Sequence, residues 1–124
     1  MIDELSKGAD ETQIVKLLIG KKFKFVKKAK DALMFVGPFL DATAIVAIGM
    51  KAGGLERLDI LFQGEAPSAL QTVADFSTRY GEPSRAVPTK KGGGRIIEWG
   101  NKDIDLMIDG AGQLFTIRKF AIGT

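Results

Sequence analysis

Apolar positions along the chain change period twice in the same order. Over residues 10–19 (DETQIVKLLI), Ile14, Leu17 and Leu18 recur at helical spacing. Asp10, with Gln13 three residues on, has the form of a capping box, and Gly20 suits the left-handed position after a helix. Residues 67–80 (PSALQTVADFSTRY) repeat the pattern. Ala69, Val73, Phe76 and Tyr80 share one helical face, Pro67 sits where a first-turn proline is tolerated, and Gly81 and Pro83 end the segment.

After each helix the period falls to two, the spacing of strands. The first half predicts strands near 22–27, 32–37, 42–50 and 55–63. Lys22-Phe23-Lys24-Phe25 alternates with both phenylalanines inward, Gly37-Pro38 breaks a connection, and Gly53-Gly54 reads as a hairpin turn. The second half predicts strands near 84–88, 94–100, 102–109 and 112–120, with turns at Gly92-Gly93-Gly94, Gly100-Asn101 and Asp109-Gly110. Ile104, Leu106 and Ile108 alternate with Asp103, Asp105, Met107 and Asp109, so this strand has one buried and one wet face. The expected fold is α+β: an antiparallel sheet with two helices on one face, in a single domain spanning 1–124. Aligning Gly20 with Gly81, Leu33–Gly37 with Ile96–Gly100, Ile48 with Ile108 and Ile60 with Ile117 suggests duplication of a helix-then-four-strands unit, 9–63 and 66–120. The expected core is Leu17, Leu18, Phe25, Ile48, Ile60, Val73, Phe76, Trp99, Ile104, Leu106 and Ile117.

Tyr80-Gly81-Glu82-Pro83, then Ile97-Glu98-Trp99-Gly100 and the hairpin 102–120, carry a resemblance at the level of architecture. A helix followed by an antiparallel meander, twice over, resembles the β-lactamase-inhibitory proteins and the small outer-membrane assembly lipoproteins. The likeness covers residues 66–120 well and 10–63 weakly. It implies a noncatalytic sheet that grips another protein, and it transfers no catalytic or binding motif. The chain departs from many such secreted proteins in having no cysteine.

Composition narrows the chemistry. Cysteine and histidine are both absent, which removes disulfides, thiolate nucleophiles, the Ser-His-Asp triad and the usual nitrogen metal ligand. No run of 18 apolar residues predicts a transmembrane helix. The opening MIDELSKGADE is acidic and polar, unlike a signal peptide. That suits a cytoplasmic location if the chain is full length and the cell envelope if a signal was trimmed. The overall character is that of a small bacterial-type protein, and the sequence names no catalytic residue, metal ligand set or cofactor.

Net charge is only +3, but six of residues 21–30 are lysines. Lys27, Lys28 and Lys30 fall at a turn that the repeat equates with Lys90, Lys91 and Arg95. Two basic turns could flank one anionic surface if they lie at the same end of the sheet. The alternative is edge protection, in which lysines on a first strand prevent sheet-to-sheet pairing. Glu98, Asp103 and Asp105 could converge on a hard cation or, for Glu98 and Asp105, act as an acid-base pair; solvated strand residues are the simpler reading. Gly92-Gly93-Gly94 lacks the form of a phosphate loop and precedes a strand. Trp99 is expected in the core beneath the second helix.

Residues 32–36 (ALMFV) and 42–50 (ATAIVAIGM) are apolar on both strand faces. An open sheet needs one apolar face, so something should cover the other: the N-terminal segment with Ile2 and Leu5, a second copy, or a ligand. The leading expectation is a noncatalytic protein-interaction or binding module that self-associates. One alternative is an anion or nucleic-acid binder; another is a small-molecule enzyme or carrier with a helix-sheet pocket.

Overall fold

A computed structural model describes residues 1–5, 8–51, 54–89 and 93–120. Among these residues the fold is α+β, with three α-helices, a short 3-10 turn at Gly100–Lys102 and one eight-stranded antiparallel sheet. Helices are α1 (Ile2–Leu5), α2 (Glu11–Gly20) and α3 (Ala69–Tyr80). Strands are β1 (Lys24–Ala29), β2 (Ala32–Phe39), β3 (Ala42–Lys51), β4 (Gly54–Phe62), β5 (Arg85–Pro88), β6 (Arg95–Trp99), β7 (Ile104–Ile108) and β8 (Leu114–Lys119). No helix among the described residues is long and apolar enough to cross a membrane.

Local chemistry sets the helix ends. The Asp10 carboxylate accepts from the Gln13 N–H at 2.8 Å while the Gln13 amide oxygen accepts from the Asp10 N–H at 2.9 Å, completing the capping box. The far end differs from expectation. Gly20 is the last helical residue, and Lys22 takes the left-handed conformation at φ 70°. In α3 Ser68 is the cap, accepting from the Gln71 N–H at 3.2 Å, so Pro67 lies outside the helix. Gly81 ends α3 at φ 91°, a region open to glycine.

Two expected breaks also move. Gly37 and Pro38 do not end β2, which runs to Phe39. Pro38 pairs only with Thr43 of β3, because the pairing of β2 with β1 stops at Val36, so its missing N–H faces no partner strand. The reversal falls at Leu40 and Asp41, both left-handed (φ 52° and 62°), as a two-residue hairpin requires. Gly53 and Gly92 lie outside the described residues, so the turns expected there are not described.

The strand order is β1-β2-β3-β4-β8-β7-β6-β5. Each half of the chain forms a consecutive meander, and the last strands of the two halves pair at the centre, with Ile60 opposite Ile117. Alternate side chains build the core on one face: Leu33 and Phe35 on β2, Val46 and Ile48 on β3, Leu58 and Ile60 on β4, Ile117 on β8, Ile104 and Leu106 on β7. All three helices lie on this inner face. Ile14 and Leu18 of α2, Ile2 and Leu5 of α1, and Phe76 of α3 complete the cluster. Trp99 is fully buried under α3, its ring 5.5 Å from Phe76, and its indole N–H donates to the Gly81 carbonyl at 2.8 Å. Leu17 and Val73 are only partly buried. Phe25 departs from expectation: it sits on the edge strand β1, 47% exposed, and meets Phe35 edge to face.

The N-terminal segment therefore covers the inner face and not the outer one. It is tied to α3 by Tyr80, whose hydroxyl donates to Asp3 at 2.7 Å. Burial first, and then the Asp3 carboxylate, push the Tyr80 phenol up to about 12.

Two outcomes test this packing. A Cβ on Gly37 would lie 2.7 Å from the Phe23 ring and 2.8 Å from its Cα, so Gly37→Ala should lower stability by about 1–3 kcal/mol in urea unfolding. Tyr80 is the only tyrosine, so tyrosinate absorbance reads it directly. It should titrate near 12, and Asp3→Ala should bring the midpoint down toward 10. A folded-state pKa above the unfolded value means that this contribution to stability is intact below pH 10 and is lost as pH rises toward 12.

Candidate functional site

The outer face of the sheet is covered by no described element. The registers place its side chains in rows that cross all eight strands. One row runs Lys24, Val36, Ile45, Leu61, Thr116, Met107, Ile96 and Val87, each opposite the next. Beyond Lys24 it is apolar except for Thr116, whose hydroxyl-bearing side chain is buried between its neighbours. The other apolar members are half-buried, apart from Leu61 at 40% exposure.

The adjacent row runs Lys27, Met34, Ala47, Asp59, Arg118, Asp105, Glu98 and Arg85. It is apolar across β2 and β3 and charged from β4 to β5. Arg57 grips Asp59 through Nε at 2.9 Å, and Arg85 forks onto Glu98 at 2.8 and 3.2 Å. Arg118 Nε lies 3.3 Å from Asp59 Oδ1, yet it is buried without an aligned hydrogen-bond acceptor. Hydrogen bonds from Arg85 hold the Glu98 carboxyl below its usual range. The Asp105 carboxyl is pushed up, mainly by loss of water and then by Glu98 directly across the strand pair.

The two edges resist pairing with another strand. β1 carries Lys24, Lys27 and Lys28 and a bulge between Phe25 and Lys27; β5 has only four residues and ends in Pro88. The open face thus presents a continuous apolar row, while the most exposed single apolar side chains lie elsewhere, Leu70 on α3, Ile19 on α2 and Val26 on β1.

The basic residues singled out from the sequence are not brought together. Lys27 lies on the outer face of β1, while Lys28 turns inward and pairs with Glu11 of α2 at 3.0 Å. Lys30 lines a shallow groove of about 180 Å³ that also holds Glu11, Asp31 and Lys51, so its charge is mixed. Arg95 begins β6 at the opposite end of the sheet, near the opposite edge. Lys90 and Lys91 lie outside the described residues. Between Lys30 and Arg95 stand most of the eight strands, about 30 Å at the usual strand spacing and well beyond a Debye length. For the described members, Lys30 and Arg95, the condition of lying at the same end of the sheet is not met.

Glu98, Asp103 and Asp105 likewise do not gather into a cation site; among the described residues no cluster of three such groups could hold a metal ion. Asp103 is a left-handed turn residue, and Glu98 is taken by Arg85. A groove of about 490 Å³ between α1, β2 and α3 is lined by Ile2, Phe39, Leu40, Phe76 and Arg79. A smaller one, about 270 Å³, holds Asp3, Tyr80, Asp103 and Lys119. A phenol pushed up to about 12 is a weak acid that stays protonated at neutral pH, so Tyr80 is poorly suited to proton abstraction there.

The sequence signalled the outer face only through the two-sided apolarity of β2 and β3. Arg57, Asp59 and Arg118 carried no local signal, because they meet only through register. Comparison with protein families, with curated proteins and with solved structures gives no match.

The raised Asp105 pKa makes a prediction. A folded carboxyl above its unfolded value loses stability as pH rises through the folded pKa. Asp105→Asn should therefore be more stable than wild type at pH 7 in urea unfolding. That advantage should shrink as pH falls into the carboxylate range, where Asp105 is protonated.

Proposed function

We propose that the chain is a noncatalytic interaction module that grips a protein surface with the open face of its sheet. The observation that carries this reading is the apolar row from Val36 to Val87, which crosses seven strands on the side opposite all three helices. A sheet that only closed a core would carry polar residues there. The charged half-row beside it fits a binding surface too, since paired ions fix register while apolar area supplies affinity.

The symmetric strand order supports reading the two meanders as a duplication, with the equated residues Ile60 and Ile117 opposite each other at the centre. It also supports the architectural resemblance to surface-gripping tandem repeats. Edge protection is a second reading of the β1 lysines named by the anion-binding alternative.

Photo-crosslinking tests the reading. A photoreactive residue at Ile96 should yield a protein adduct in the native cell, and adding Ile45→Lys should abolish it while changing stability by no more than about 1 kcal/mol. The same probe at Leu70, 85% exposed on α3, should give none. Adducts from Leu70 and not from Ile96 would move the binding surface to the helices.

A further inference from the structure

We infer that the occupant of the open face is a second copy of this chain, packed sheet against sheet about a two-fold axis parallel to the strands. This rests on the reading of that face as a protein-binding surface. Three observations name the partner.

The first is size. Seven inter-strand gaps of about 4.8 Å and rows of side chains over about 20 Å give a face of roughly 700 Å², against the ~800 Å² per partner of a stable dimer. The second is closure. Lysines and a bulge on β1, and the short β5 ending in Pro88, oppose growth at the edges, so face-to-face packing is the contact that remains and it closes at two copies.

The third is charge, and it selects the orientation. An axis parallel to the strands, between β4 and β8, lays β4 of one copy on β8 of the other. Asp59 then faces the second copy's Arg118, and Arg118 faces its Asp59. The apolar row lies on itself in reverse, Ile45 over Met107 and Val36 over Ile96. The acidic pair Glu98 and Asp105 falls over the uncharged Met34 and Ala47, and at the rim Lys27 falls over Arg85, the one like-charge contact of this arrangement. An in-plane axis perpendicular to the strands does worse. Centred on the charged row, it sets every charge of that row on its own copy, Asp59 on Asp59, Arg118 on Arg118 and Lys27 on Lys27; centred between the rows, it lays all five charges from Asp59 to Arg85 on uncharged side chains, and Lys27 on Lys24. Of these axes, only the parallel one sets a carboxylate over the partly exposed Arg118 guanidinium, whose buried Nε already lies 3.3 Å from Asp59 of its own chain without an aligned bond. Aligned sheets pack about 10 Å apart, a gap that arginine and aspartate side chains can bridge from opposite sides.

Sedimentation equilibrium and a charge-swap mixture test the inference. Wild type should be a dimer at micromolar concentration. Asp59→Arg and Arg118→Asp should each weaken it by about a hundredfold or more, because like charges then meet at the axis. Mixed together, the two variants should restore a heterodimer, since both arginines at the centre of one chain then face aspartates of the other. Circular dichroism checks that each variant is folded.

Should either fail to fold, a second route remains, because the chain has no cysteine. Ile45→Cys and Met107→Cys chains mixed with a short bismaleimide should cross-link to each other in preference to self-linking. Preferential linking of the Ile45→Cys chain to another copy of itself would overturn the orientation. A wild-type monomer at tens of micromolar would overturn the dimer. In that case a protein adduct at Ile96 would keep the binding-face reading with a different partner, and the absence of any adduct would end both.

Discussion

The pairing of β4 with β8 is the contact on which the rest of the structure depends. It spans four residues a side, Leu58–Leu61 against Thr116–Lys119. Without it the chain would hold two four-stranded meanders, each with two edges and a thin core. With it, Ile60 meets Ile117, the two cores become one cluster, and only β1 and β5 remain as edges. Fusing two small cores matters because a half-size unit buries a smaller fraction of its surface and is correspondingly marginal.

The same pairing creates the polar centre of the outer face. Because side chains alternate along a strand, placing Ile60 and Ile117 inward forces Asp59 and Arg118 outward and opposite each other. Arg57 and Asp105 join them from neighbouring positions. The resulting row is imperfectly balanced: Asp105 stands across from Glu98 and loses water beside it, while Arg118 Nε lacks an aligned acceptor. The Arg118 charge is the part of this imbalance that a carboxylate on another surface can relieve. The helices cannot play this part, since α1, α2 and α3 are all committed to the inner face.

Much of the fold was legible locally. The capping box at Asp10, the stop at Gly81, the alternation of Ile104 and Leu106, and the burial of Trp99 beneath a helix all follow from nearest-neighbour chemistry. The departures have a common cause. Gly37 was expected to break a strand, but its missing Cβ makes room for Phe23 of a different segment. Phe25 was expected inside, but β1 is an edge, and an edge strand has a neighbour on one side only. Lys30 and Arg95 looked equivalent in a repeat, but strand order sends them to opposite corners.

By itself, the sequence determined the α+β class, the order of the two longer helices and the eight strands, and which residues of each strand are apolar, because period and capping are properties of short segments; it did not reveal the short helix Ile2–Leu5. It also determined that β2 and β3 would be apolar on both faces. Only the tertiary structure decided which face the helices cover, that the halves join through β4 and β8, and that Asp59, Arg118, Asp105, Glu98 and Arg85 form one row. Those residues are far apart in the chain, and their meeting depends on strand order and register. Register is set by long-range burial of the opposite face, so no local pattern around any of these charged residues could reveal the row.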